Sequence, residues 1–153
     1  MKKISIVFSL ILFSLVTLSA QSPIKWRNKV KMVNETEGVL TMKAIIEPGW
    51  HLYGTNLPSG GPKATKFDLS SSEGIKFIGE ITPSSAPKNV HDNVFNLDLN
   101  WWESSVTFTQ KFKLTGKGTP KIVGSIFFMG CSDQTCLPPT TQKLNIVVTP
   151  YKK

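Results

Sequence analysis

Along most of the chain apolar and polar residues alternate with a period of two. At that spacing successive side chains of a β-strand point to opposite faces of a sheet. Trp26, Val30 and Met32 alternate with Lys25, Arg27, Lys29 and Lys31; after a polar turn at Asn34 to Gly38, the next strand is marked by Leu40, Met42, Ala44 and Ile46. Val106, Phe108, Phe112 and Leu114 alternate with Thr107, Thr109, Lys111 and Lys113, the clearest half-buried strand in the chain. Ile122 to Met129 is apolar on both faces, as a central strand requires, and Leu144, Ile146 and Val148 complete the pattern.

Turn residues separate these runs at Glu47-Pro48-Gly49, Pro58 to Pro62, Ser70 to Gly74, Pro83 to Pro87, Gly116 to Pro120 and Leu137-Pro138-Pro139. Past residue 20 no segment carries an amphipathic-helix pattern. Seven to nine short strands with regular breaks predict an all-β fold, an immunoglobulin-like antiparallel β-sandwich, formed by one domain at residues 21–153. The stretch Thr82 to Trp102, rich in Pro, Asn and Asp, reads as one extended loop. Long loops inside compact domains are usually functional or disordered.

The first 20 residues follow a different logic. Lys2 and Lys3 precede an apolar run from Ile4 to Leu18, and Ser19-Ala20 supplies small residues before Gln21. This is the plan of a secretory signal peptide, with cleavage expected after Ala20 and a periplasmic mature chain. The apolar run falls short of the roughly 20 residues that span a bilayer as a helix, and no Cys follows it to carry a lipid. The formal charge of +8 drops by two when Lys2 and Lys3 leave. Lys25, Arg27, Lys29 and Lys31 fall on one strand face and predict a solvated stripe; no nucleic-acid reading motif accompanies them. Ser–His–Asp spacing, paired-carboxylate motifs and Gly-rich phosphate loops are all missing, which argues against hydrolase and nucleotide chemistry.

Export gives the two cysteines their meaning. Cys131 and Cys136 are the only ones, within Gly130-Cys131-Ser132-Asp133-Gln134-Thr135-Cys136-Leu137-Pro138-Pro139. In an oxidising compartment such a pair is expected to bond to itself. A ring this small stabilises a fold by only about 2 kcal/mol, a poor return for a structural staple. A bond that opens and closes without unfolding its host suits the position better. Three readings stay open on the residues alone: a redox pair, a local clasp in an inert binding or scaffold module, and a soft-metal (copper or zinc) site with Met129 and a histidine. No helix N-terminus is available to acidify either thiol, and Asp133 opposes a thiolate, so the pair suits relaying electrons between activated partners. The two prolines stiffen the exit and keep Cys136 out of a sheet ladder.

The run Met129 to Pro139 resembles the Cys-containing segment of the N-terminal periplasmic domain of the thiol:disulfide interchange protein DsbD. Pro48-Gly49-Trp50-His51-Leu52-Tyr53 resembles that family's Gly-aromatic-x-Leu-Tyr segment, and His91-Asp92-Asn93-Val94-Phe95 its cap loop. The strand Val106-Thr107-Phe108 follows in the family's order, so the likeness runs over roughly residues 25–150. It implies an immunoglobulin-like fold bearing a redox disulfide, without cofactor or metal, and a monomeric component of a protein-disulfide reductase system. The implied partners are exported thioredoxin-like proteins or a membrane electron-transfer protein, with a link to cytochrome c biogenesis. Cys136 would form mixed disulfides and Cys131 resolve them; Phe95 would cap the bond and Tyr53 line the site. His51 stands where the family often has another aromatic. Asp92 is the nearest acid, because Asn93 and Val94 occupy positions where acids can assist proton transfer. The family's membrane-spanning and thioredoxin-like modules are missing from the sequence, which predicts electrons supplied by another polypeptide. Read singly, His51 and His91 are expected at exposed positions, Trp50 and Tyr53 in the core, and Trp101 and Trp102 as partly buried anchors.

Overall fold

A computed structural model describes residues 22–152; the expected signal peptide at 1–20 lies outside them. The described chain is all β. Its strands are β1 (Ile24–Met32), β2 (Glu37–Ile46), β3 (Trp50–Tyr53), β4 (Lys66–Asp68), β5 (Ile75–Pro83), β6 (Lys88–Asp92), β7 (Leu97–Trp102), β8 (Ser105–Leu114), β9 (Lys121–Phe128), β10 (Gly130–Ser132) and β11 (Thr140–Val147). All pairings are antiparallel, in the orders β1-β2-β8-β5, β10-β3-β7-β6 and β11-β9-β4.

The period-two pattern is realised where it was clearest. On β2, Leu40, Met42, Ala44 and Ile46 are buried; on β8, Val106, Phe108 and Phe112. These residues meet Ile122, Ile126 and Phe128 of β9 and Leu144 of β11 in one core between the sheets. Complete burial of each large aliphatic or aromatic side chain contributes about 1.5–3 kcal/mol, so this core carries most of the fold's stability. Lys25, Arg27, Lys29 and Lys31 are exposed along β1, as their alternation requires.

Two expectations change. The strand count rises to eleven, because β3, β4 and β10 span only three or four residues and are too short to display alternation. The stretch Thr82 to Trp102 is not a single loop. Its ends belong to β5 and β7, and β6 and β7 form a hairpin pairing Lys88 with Trp101 through Asp92 with Leu97. The Pro, Asn and Asp residues that suggested a loop concentrate in its turns, and Leu97, Leu99 and Trp101 alternate with Asp98 and Asn100 as strand residues do.

This hairpin positions the site. On β3 and β7 the even-numbered Leu52 and Trp102 enter the main core, while the odd-numbered Tyr53, Leu99 and Trp101 point to the opposite face. There they gather Cys131, with Phe95, Leu97, Met129 and Cys136 packed against them. The chain therefore builds a second, smaller apolar cluster on the outer side of a sheet. Gly130 lets β10 lie close over the first strand, since a Cβ there would stand 2.7 Å from Ile24 Cδ1.

Candidate functional site

Cys131 and Cys136 are joined by a disulfide. The backbone around them is a tight hairpin: Ser132 N–H donates to the Thr135 carbonyl at 2.8 Å and Leu137 N–H to the Gly130 carbonyl at 3.0 Å. Between these bonds the two cysteines face each other with Cα atoms 4.1 Å apart, the close spacing of a non-hydrogen-bonded antiparallel pair. Ser132 Oγ accepts the amides of Gln134 and Thr135 at 3.3 and 3.2 Å and fixes the turn. Pro138 and Pro139 follow without N–H groups, and regular pairing resumes only at Thr140. The two sulfur-bearing residues differ in access. Cys131 is 1 % exposed, whereas Cys136 is half-buried.

The turn of the β6–β7 hairpin, residues 93–96, adjoins this bond. Asp92, 5 % exposed, organises it: Oδ1 accepts the amides of Val94 at 2.8 Å and Phe95 at 3.1 Å, and Oδ2 accepts the Tyr53 hydroxyl at 2.7 Å. Asn96 closes the turn at φ 52°, a left-handed conformation that Asn tolerates better than most residues. On the outer side His91 Nδ1 pairs with Asp98 Oδ1 at 2.8 Å and Nε2 with Asn96 Oδ1 at 3.2 Å. Phe95 is thereby carried into the cluster, edge-on to Tyr53 at 6.3 Å between ring centroids.

Electrostatics follow from these contacts. Burial pushes the Asp92 carboxyl up, but the Tyr53 hydroxyl and the Phe95 and Val94 amides outweigh it and hold the group below the usual carboxylate range. Tyr53 is pushed well above its ordinary value by burial first and by Asp92 second, so it stays a neutral hydrogen-bond donor. Asp98 is the main cause raising His91. His51 is lowered by burial, against the opposing charges of Asp92, Asp133 and Glu103.

His51 corrects an expectation: it is buried, at 5 % exposure, not an exposed polar residue. It stacks on Trp101 at 4.0 Å and 17° and meets Tyr53 edge-on at 5.0 Å. The cause is that β3 is an inner strand of its sheet, between β10 and β7, and Trp101 of β7 stacks on the His51 ring. His91 is exposed. Trp101 joins the site although its sequence suggested only an anchor, and its indole N–H donates to Glu103 Oε1 at 2.9 Å. The alternation of Leu97, Leu99 and Trp101 is the signal that could have revealed this.

Cys131, Cys136, Tyr53 and Phe95 thus share one cluster, with His51 and Asp92 in contact with its aromatic members. Met129, which a soft-metal site would need, accepts the Lys63 amide at its sulfur at 3.4 Å. Among the described residues no group of three or more His, Cys, Asp or Glu is placed to hold a metal ion. What the arrangement offers chemically is a disulfide between one buried and one half-buried cysteine.

Comparison with known proteins bears on that chemistry. No protein of curated function matches the chain. Among solved structures it is similar to the N-terminal periplasmic domain of ScsB from Proteus mirabilis, at 15 % identity and a TM-score of 0.61, over 86 % of this chain and 49 % of that one. It is also similar to the reduced N-terminal domain of DsbD from Neisseria meningitidis, at 13 % identity and a TM-score of 0.47, over 80 % and 85 % of the two chains. The chain spans about half the length of the ScsB structure, and at this identity that likeness speaks to the fold alone. The family model described as thiol:disulfide interchange protein DsbD, N-terminal, matches residues 20–147, a span that takes in both cysteines and every strand of the sandwich, and the chain belongs to that family of thiol:disulfide interchange domains.

Proposed function

We propose that the chain is an exported thiol–disulfide exchange module, matured by removal of residues 1–20, that relays electron pairs through Cys131–Cys136 in the periplasm. Its partners on this reading are thioredoxin-like exported proteins or a membrane electron-transfer protein. One observation carries the division of labour: Cys136 is half-buried and Cys131 fully buried. A partner thiolate reaches Cys136, forms a mixed disulfide with it and expels Cys131 as a thiolate. The partner's second thiolate then attacks its own sulfur and releases Cys136. The partner dithiol has become a disulfide, and the Cys131–Cys136 pair has gained two electrons and, after protonation, two protons. Delivery of electrons runs the same steps backwards, with Cys131 resolving the mixed disulfide.

Phe95 acts as the cap on this reading. It sits in the same cluster as both cysteines, on a turn tethered by Asp92, and a partner displaces it to reach the sulfur. Small thiols, lacking the contacts to move it, react slowly.

Trapping separates the roles. Cys131→Ala, with Cys136 free, should accumulate a mixed disulfide with an exported thioredoxin-like partner whose own resolving cysteine has been replaced, because neither protein then holds a second thiol to resolve it. Cys136→Ala should trap much less. Equal trapping by both variants would overturn the division of roles, and absence of trapping by either would leave an inert clasp as the better reading.

A further inference from the structure

Exchange moves protons as well as electrons, and one residue beside the buried cysteine is equipped to handle them. His51 and Cys131 stand directly opposite each other in the β3–β10 ladder. Directly opposed residues of an antiparallel pair share a face, with Cβ atoms about 4.5–5.5 Å apart. Cys136 is on the other flank of Cys131, so His51, Cys131 and Cys136 run in sequence across three neighbouring segments. His51 Nε2 is buried and has no hydrogen-bond partner. An orphaned buried nitrogen of this kind is unfavourable and calls for an explanation.

We propose that His51 is the proton acceptor of Cys131: its imidazole takes the Cys131 thiol proton as that sulfur closes the disulfide, and returns a proton when the bond opens. The proposal rests on the exchange reading above. In the closed state the sulfur has no proton to share; opening the bond creates a thiol on the residue directly opposite His51. The closing step balances as follows. The Cys131 thiol gives its proton to neutral His51, the resulting thiolate attacks Cys136 within the mixed disulfide, a new Cys131–Cys136 bond forms and the partner leaves as a thiolate. His51 is then an imidazolium and passes its proton to solvent or to the departing sulfur.

The surroundings fit both halves of this task. Trp101 stacks on the ring and Tyr53 meets it edge-on, fixing its orientation. Burial favours the neutral imidazole, the form that accepts a proton. Three acids face it from three elements, Asp92 at the end of β6, Asp133 in the turn after β10 and Glu103 after β7, and these favour the imidazolium once formed. Glu103 is partly offset by Lys88 at 3.4 Å, and Tyr53 stays neutral. Two small cavities, about 250 and 280 Å³, are both lined by His51 and Asp133 and give the proton a route outward. A buried Cys131 has no comparable access to solvent base.

The test uses the mature dithiol protein and dithionitrobenzoate. The first thionitrobenzoate released reports attack by Cys136, the second the resolving attack by Cys131. His51→Phe, which keeps an aromatic ring against Trp101, should slow the second release at least about a hundredfold at neutral pH, the lower end of general-base effects. Its rate should then climb with pH toward the thiol's own titration, where the wild type levels off above the His51 pKa. An unchanged second phase and pH profile would overturn the proposal. If the variant loses both phases by misfolding, imidazole NMR of the wild type decides. His51 should titrate differently in the dithiol and disulfide forms, and in Cys131→Ala as it does in the disulfide form; identical titration in all three overturns the proposal. Failure of the wild-type dithiol to release any thionitrobenzoate would instead sink the exchange reading itself.

Discussion

Tyr53→Phe is the most informative single change to the frame of the site. It keeps the ring, fully buried and in contact with His51, Phe95 and Trp101, and deletes only the hydroxyl. That hydroxyl donates to Asp92 Oδ2 at 2.7 Å, and Asp92 is 5 % exposed, so water cannot easily replace it. Hydrogen bonds to charged groups contribute about 1.5–3 kcal/mol, and an abandoned buried carboxylate oxygen keeps the loss near that range. A loss of about 2 kcal/mol lowers the melting midpoint of a domain this size by roughly 6–10 °C. The assay is urea unfolding of the oxidised protein at neutral and acid pH. The Asp92 carboxyl is held below its ordinary range, so its contribution is present above the unfolded pKa of about 3.9 and disappears as pH falls through the folded value. The gap between wild type and variant should therefore narrow in acid. A neutral-pH gap below about 0.5 kcal/mol, or one that persists undiminished in acid, would refute the view that Tyr53 and Asp92 jointly hold the β6–β7 turn.

Three further outcomes follow from the same geometry. The Cys131→Ser, Cys136→Ser double variant should still unfold in one cooperative transition, weakened by about 2 kcal/mol, because the main core is built without either cysteine; loss of the transition in thermal melts would contradict this. Phe95→Ala should speed reduction by dithiothreitol while leaving the fold's thermal midpoint close to wild type, since Phe95 is only half-buried; an unchanged reduction rate would remove its role as a cap. Asp98 raises His91, so the His91–Asp98 contact is fully formed below about pH 6.5 and is lost as pH rises through the raised value. Amide exchange at Val94 and Phe95, corrected for its intrinsic pH dependence, should show weaker protection above that value, and pH-independent protection would count against the contact.

The long strands were legible because ten residues of alternation, as in β2 and β8, leave little ambiguity of face. The β6–β7 hairpin was not, because β6 and β7 are short and their turn residues dominate the composition between Thr82 and Trp102. The cysteine pair was legible for the opposite reason: with only two, in a chain whose first residues read as an export signal, pairing follows from chemistry. The contact of Tyr53 with Asp92 spans 39 residues of sequence and depends on which strands become neighbours, which no local pattern encodes. His51 was read as exposed because histidine usually is, and only the placement of Trp101 on the neighbouring strand β7 reverses that. Its neighbour across the ladder, Cys131, likewise becomes a partner only through strand register.

The most direct test of the exchange reading is the reduction potential of the Cys131–Cys136 pair, measured by equilibration with glutathione or dithiothreitol buffers and quenching of free thiols. A working exchange pair should lie between about −270 and −120 mV, the span of known thiol–disulfide oxidoreductases. A value below about −300 mV, where structural disulfides of secreted proteins lie, would contradict it and leave the bond a clasp.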